Sequence, residues 1–251
     1  MLPDTSSAIE VLPTFKVKKG ASSISGLSSG AFMTVQLHLA HSASFCGVGV
    51  IAGGPYRCVE SFPPQSGPAQ TAYVQNAMSI CMNPLTPQTG PDVDLLLGLA
   101  KKAVQAGEID DIANIADDRV YIFTGKTDAV VHSEVVKRTL AFYQKLCASN
   151  DAILFRDDLA AGHAILTDQP EHSPLPVNQP PYINNGGFMQ SHEILQHIYP
   201  DLAVPSPLLT GRLIRFDQRE FFGGESRASM SDFGYAYVPK AVQEGAEARV
   251  H

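Results

Sequence analysis

Gly26-Leu27-Ser28-Ser29-Gly30 follows a short β-like run, Ser22-Ser23-Ile24-Ser25, and precedes a stretch over residues 31–43 of helical periodicity. In that stretch Phe32, Val35, Leu39 and Ala40 recur on one face. Next comes Phe45-Cys46-Gly47-Val48-Gly49-Val50-Ile51-Ala52, an apolar run closed by Gly53-Gly54-Pro55, which reads as a buried parallel strand. Strand, turn, helix and strand make one βαβ unit. In that setting G-x-S-x-G reads as a nucleophile elbow, a turn tight enough to require glycine two residues before and after the serine. The turn lifts the Ser28 hydroxyl from the sheet and aims a helix N-terminus at any oxyanion formed beside it. The pentapeptide alone arises by chance in roughly one chain in ten of this length and would equally suit a Ser/Gly loop.

Two further strand ends change that balance. Arg119-Val120-Tyr121-Ile122-Phe123 reads as a buried strand and is followed at once by Thr124-Gly125-Lys126-Thr127-Asp128. A helix is predicted from Ser133, a candidate N-cap, to residue 148, with Val135, Val136, Phe142, Tyr143 and Leu146 on one face. Ala152-Ile153-Leu154-Phe155 is a third strand and leads to Ala160-Ala161-Gly162-His163-Ala164. In a parallel sheet with helical crossovers, loops after successive strands emerge at one carboxyl edge. Ser28, Asp128 and His163 thus share an edge, in the Ser–Asp–His order of α/β-hydrolases. Ser28 is a poor nucleophile until His163 takes its proton, and Asp128 fixes the imidazole tautomer. Asp157 and Asp158 are the alternative acids, but they lie too near His163 in sequence to occupy a separate strand end. His38, His41 and His132 read as surface or packing histidines.

The rest of the chain bounds the reading. Its 251 residues fit one large α/β domain, residues 1–251, and a hydrophobic content of 44% suffices for a core. Net charge is -7, with Lys and Arg scattered, which argues against a nucleic-acid partner. No run is long and apolar enough to span a membrane. The first residues have neither a basic nor an apolar leader region, so no signal peptide is expected in this sequence, and the localisation stays open. Four cysteines form neither a CxxC pair nor a Cys/His cluster of metal spacing, so no metal and no organic cofactor are expected. Cys46 and Cys147 read as small core residues, whereas Cys58 and Cys81 lie in loop-like surroundings where a disulfide is one option. Residues 55–91, rich in Pro, Gly, Ser and Gln, read as a surface excursion near the site. Residues 95–106 read as a helix stopped by Gly107, and residues 186–200 as another.

Several stretches together resemble the polyhydroxybutyrate depolymerase esterases. They are Gly26 to Met33, Ala52-Gly53-Gly54-Pro55-Tyr56-Arg57-Cys58, Tyr121 to Asp128, Ala161-Gly162-His163-Ala164, Pro181-Tyr182-Ile183-Asn184-Asn185 and Phe216-Asp217-Gln218. The resemblance covers nearly the whole chain from about residue 20. It implies an α/β-hydrolase-like fold with a mostly parallel sheet, and ester cleavage through an acyl-enzyme. In that reading Ser28 is the nucleophile, Asp128 the orienting acid and His163 the base, and the backbone N–H of Ser29 donates to the oxyanion. The substrate would be poly- or oligo(3-hydroxybutyrate). Another carboxylic ester, of feruloyl or acetyl type, is the alternative, because elbow and triad do not distinguish them.

The resemblance is closest to a circularly permuted subtype with the lipase box near the N-terminus. There, segments like Gly211 to Phe216 and Phe233 to Pro239 are the opening strands of the fold, placed last. A segment like Ala248-Arg249-Val250-His251 starts the next strand and runs into a His-Gly-Cys turn that supplies a second oxyanion donor. With the sequence ending at His251, the expectation is a chain that lacks the terminal strands, and a non-catalytic remnant is a further alternative. Relatives often carry disulfide cysteines where this sequence has Gly186, Val242 and Ala248, whereas Cys58 and Cys81 match family cysteine positions.

Overall fold

A computed structural model describes residues 9–62, 69–206, 208–223 and 230–251. The first residues, where no leader is expected, and residues 63–68 of the surface excursion lie outside this range. The chain divides into two compact units: Lys19–Ala203 with His251, and Met1–Lys18 with Val204–Val250.

The first unit is built on a four-stranded parallel sheet. The chain runs through β1 (Ser22–Leu27), α1 (Ser29–Ala40), β2 (Phe45–Ile51), α2 (Ala69–Ser79), α3 (Val93–Gln105), β3 (Arg119–Phe123), α4 (Ser133–Gln144) and β4 (Ile153–Arg156). The strands lie in the order β1-β2-β3-β4, all parallel. A three-stranded parallel sheet comes next, made of β5 (Ile165–Thr167), β6 (Ser173–Pro174) and β7 (Ile183–Asn185) in the order β5-β7-β6. Then comes α5 (Gln190–Ile198).

Side-chain alternation along the strands makes a core on each face of the main sheet. Val48, Val50, Val120 and Ile122 pack with Val35, Leu39, Leu96, Val136 and Phe142 from α1, α3 and α4. Ile51, Tyr121 and Phe123 point the other way and pack with Leu166, Ile194 and Ile198. The alternating glycines of β2 let α5 approach this second face. A Cβ on Gly47 would lie 2.6 Å from Ile198 Cγ2 and 2.7 Å from the Arg119 carbonyl oxygen, and one on Gly49 would lie 2.7 Å from Ile194 Cγ2.

Several boundaries differ from the sequence reading for local reasons. α4 is capped by His132, whose side chain accepts from the Glu134 N–H at 3.2 Å, and Ser133 is its first helical residue. α3 starts at Val93 because Asp92 caps it, accepting from the Leu95 N–H at 3.1 Å. Gly107, expected as the stop of α3, adopts φ +71, the left-handed conformation that glycine takes most readily after a helix. The excursion contains α2, and a Cys58–Cys81 disulfide joins the loop after β2 to the end of that helix. Cys46 and Cys147 are half-buried and lie outside the disulfide. His38 is fully buried, with Nδ1 3.0 Å from Tyr143 Oη and Nε2 2.9 Å from Asp118 Oδ2, whereas His41 is exposed. His251 lies beside β1, its ring nitrogens 2.7 and 2.8 Å from the hydroxyls of Ser23 and Ser25.

The second unit contains an antiparallel pair, β8 (Arg212–Asp217) and β9 (Phe233–Val238), followed by α6 (Lys240–Gln243). These are the two late strands that the resemblance implies. Residues 15–18 make only an isolated bridge, Val17 with Ala248, and no strand.

Glycine substitutions test the packing of the first unit. G47A places a methyl against backbone that cannot retreat and should cost about 1–3 kcal/mol. A Cβ on Gly98, inside α3, meets nothing within 4 Å, so G98A should stabilise by about 0.5–1 kcal/mol. Thermal melts of both variants beside the parent chain check the pair of signs.

Candidate active site

Backbone hydrogen bonding continues past the strand ends and levels the loops at the carboxyl edge of the main sheet. The Ser28 N–H donates to the Ile51 carbonyl at 2.9 Å, Ala52 N–H to Phe123 at 2.9 Å, and Thr124 N–H to Arg156 at 3.0 Å. Ser28 therefore leaves the sheet at the same height as the loop that carries Asp128.

Ser28 has φ 57 and ψ -124, a sparsely populated conformation for a residue with a Cβ, held here by the strand before it and the helix after it. The turn closes so tightly that a Cβ on Gly26 would lie 2.3 Å from the Gly30 carbonyl carbon. Gly26 is thus sterically required. Gly30 is not, because its own Cβ would meet nothing within 4 Å. The expectation of two obligatory glycines holds for the first position only. Ser29 is the first residue of α1, so its N–H has no acceptor within the helix and faces outward at the positive end of the dipole.

Asp128 and His163 form a buried pair. Asp128 Oδ2 lies 2.9 Å from His163 Nδ1, and the two side chains are only 1% and 3% exposed. The other carboxylate oxygen, Oδ1, accepts from the Val130 and Val131 N–H groups at 2.8 and 2.9 Å. Both oxygens are therefore engaged, as burial of a carboxylate demands. Tyr182, at φ 60, sets its ring edge-on to the imidazole with centroids 5.6 Å apart. The alternative acids are not near the histidine in this way: Asp157 and Asp158 are exposed, and Asp158 is engaged by Arg156 at 2.8 and 3.0 Å.

Close backbone approach brings the two loops together. The Lys126 N–H donates to Leu159 and the Thr127 N–H to Ala161. A Cβ on Gly125 would fall 2.1 Å from the Ala161 carbonyl oxygen, and one on Gly162 would fall 2.2 Å from that of Val177. Asn178 ties the loops further. Its Oδ1 accepts from the His163 N–H at 2.8 Å and the Ala129 N–H at 3.0 Å, while its Nδ2 donates to Thr127 and Pro176. Sequence reading passes over Asn178 because it lies in a proline-rich stretch with no periodicity. Its partners are backbone atoms, which carry no sequence signature.

A cavity of about 550 Å³ opens beside the elbow. Ser28, Ser29, Phe32, Met33, Met82 and Val131 contribute to its wall, as do both disulfide cysteines. An ion pair in the wall joins Arg57 to Glu60, at 2.5 and 2.6 Å, and hydrogen bonding to Glu60 raises the Arg57 pKa. The structure therefore joins Asp128 to His163 directly and places Ser28 and Ser29 at the cavity. The Ser28 hydroxyl makes no hydrogen bond to His163 among the described residues. Nor do the described residues gather three or more potential metal ligands in any one place.

Scanned against models of known protein families, the chain matches none. Individual proteins do match. The chain is 35% identical over 240 residues to a poly(3-hydroxybutyrate) depolymerase of Delftia acidovorans, which covers 94% of this chain and 45% of the relative. It is 29% identical over 243 residues to a polyhydroxybutyrate depolymerase of Talaromyces funiculosus, covering 95% of this chain and 65% of the relative. The chain thus spans about half to two thirds of the length of these relatives. Its fold matches the crystal structure of the PHB depolymerase from Penicillium funiculosum with a TM-score of 0.78, at 28% identity, over 94% of this chain and 69% of that one. A second structural match, with a TM-score of 0.77 at 28% identity and the same coverage, is a serine-to-alanine form of a PHB depolymerase complexed with R3HB trimer. The fold is accordingly α/β-hydrolase-like.

The elbow geometry makes its own test. G26A must push the Gly30 backbone aside and should lose about 1–3 kcal/mol, whereas G30A should be neutral or stabilising. Chemical denaturation of the two variants measures the contrast.

Proposed function

The chain is a relative of the polyhydroxybutyrate depolymerases, and we propose that it hydrolyses 3-hydroxybutyrate esters through an acyl-enzyme on Ser28. One observation carries the reading. Asp128 and His163 are paired out of water at the sheet edge from which the Ser28 elbow also rises.

The chemistry derives from the atoms. With Asp128 accepting the Nδ1 proton, His163 presents Nε2 as the basic nitrogen. In the substrate complex Nε2 comes within hydrogen-bond reach of Ser28 Oγ and takes its proton as Oγ attacks the ester carbonyl. Catalytic hydrogen bonds commonly tighten only when substrate binds. The Ser29 N–H donates to the oxyanion that develops. The intermediate collapses with transfer of the proton from His163 to the departing alkoxide, which leaves as a hydroxyl-ended fragment. Water, deprotonated by the same nitrogen, then attacks the acyl-Ser28 and releases the hydroxy acid. The apolar wall of the cavity suits the methyl-bearing, uncharged backbone of a short aliphatic polyester.

Hydrolysis of p-nitrophenyl butyrate and of 3-hydroxybutyrate oligomers by the purified chain tests the proposal. S28A should abolish turnover, and D128N should lower kcat by about 10³- to 10⁴-fold by stabilising the wrong histidine tautomer. Turnover of feruloyl or acetyl esters in preference to the oligomers would contradict the substrate assignment. Unchanged turnover by S28A, or no turnover by the parent chain, would contradict the mechanism.

A further inference from the structure

We infer that Asn178 is a positioning residue that sets the register between the acid loop and the histidine loop. This rests on the proposed triad, because it assigns Asn178 its effect through Asp128 and His163. The amide uses every hydrogen-bonding position it has. Oδ1 accepts from two N–H groups, one on His163 itself and one on Ala129, the residue after Asp128. Nδ2 donates to the carbonyl of Thr127, the residue before Asp128, and to Pro176 in its own segment. One planar group therefore grips the backbone on both sides of the acid and the backbone of the base.

The segment that carries Asn178 is itself fixed from below. Asn184, fully buried in β7, donates from Nδ2 to the carbonyls of Leu175 and Val177 at 2.9 and 2.8 Å. The Leu175 carbonyl also accepts the Gly162 N–H at 2.9 Å, and Gly162 lies too close to Val177 to carry a side chain. The clamp thus stands on β7, separate from the strands that deliver Asp128 and His163. The imidazole and carboxylate meet through one 2.9 Å hydrogen bond. Without Asn178, the ties between their loops would be reduced to that bond and the flanking backbone contacts.

Such a clamp affects the reacting geometry more than substrate affinity, since Asn178 does not line the cavity. The test uses the full chain with N178A and N178D, scored by kcat and KM on p-nitrophenyl butyrate, thermal melting, and NMR exchange of the His163 Nδ1 proton. N178A should lower kcat by about 10²-fold, the cost of a small misplacement of catalytic groups, with KM unchanged. The Nδ1 proton should exchange faster in N178A. N178D keeps both accepted bonds but sets a carboxylate oxygen against the Thr127 and Pro176 carbonyls, so its kcat should fall at least as far as that of N178A. Wild-type kcat and exchange in folded N178A would overturn the inference. So would a loss confined to KM. If N178A does not fold, N178D decides: wild-type kcat and exchange there would overturn the role of the donated bonds. If the parent chain does not turn over, the triad reading fails, and the exchange rate alone still decides whether Asn178 holds the pair.

Discussion

A carboxylate shielded from water must find its hydrogen bonds within the protein, and the site is arranged around how Asp128 does so. Its side chain is 1% exposed, yet it accepts from two backbone N–H groups and meets the imidazole of His163. Losing any one of these partners would leave part of a buried carboxylate unsatisfied, a cost of about 1–3 kcal/mol. The demand fixes the loop after β3, because residues 128–131 must curl back on the carboxylate. It also fixes His163, because no other side chain donates to Oδ2 among the described residues. Val131 links the acid to the cavity, since its N–H serves Asp128 and its side chain forms part of the wall.

The sheet makes this arrangement possible by bringing three loops to one height. One backbone hydrogen bond beyond each of β1, β2 and β3 carries the ladder past the formal strand ends. Strands in a sheet stand about 4.8 Å apart, so the Ser28 elbow begins roughly 10 Å from the exit of β3. The acid and histidine loops cover the remaining distance. Glycines appear where those loops touch: Gly26 against Gly30, Gly125 against Ala161, and Gly162 against Val177. In each case a backbone atom occupies the space that a side chain would need. The ordinary packing of α1, α3, α4 and α5 on the two faces holds the platform on which these contacts are made.

Much of this is readable from the sequence because it rests on patterns that repeat. The βαβ unit around residues 22–51, the strand ends before Asp128 and His163, and the left-handed stop at Gly107 all derive from periodicity and turn chemistry. The features that escape such reading depend on partners distant in the chain. Asn178 acts on backbone atoms up to 51 residues away. His38 reads as a packing histidine, and its bonds to Asp118 and Tyr143, 80 and 105 residues on, have no local signal. Gly47 and Gly49 are legible as strand residues, but their reason, the approach of α5, is tertiary. His132 displaces Ser133 as the cap of α4 because its imidazole nitrogen can accept from the Glu134 N–H. The excess of polar residues over 55–91 conceals α2, whose exposed face carries Val74 and Met78.

The proposed mechanism turns on Ser28 carrying the acyl group. The most direct measurement is peptide mass spectrometry of the chain, acid-quenched within the first turnovers of a 3-hydroxybutyrate oligomer. The expected result is a hydroxybutyryl adduct on the peptide containing Ser28, formed and lost at rates that match turnover. An adduct on another residue, or turnover with Ser28 never acylated, would contradict it.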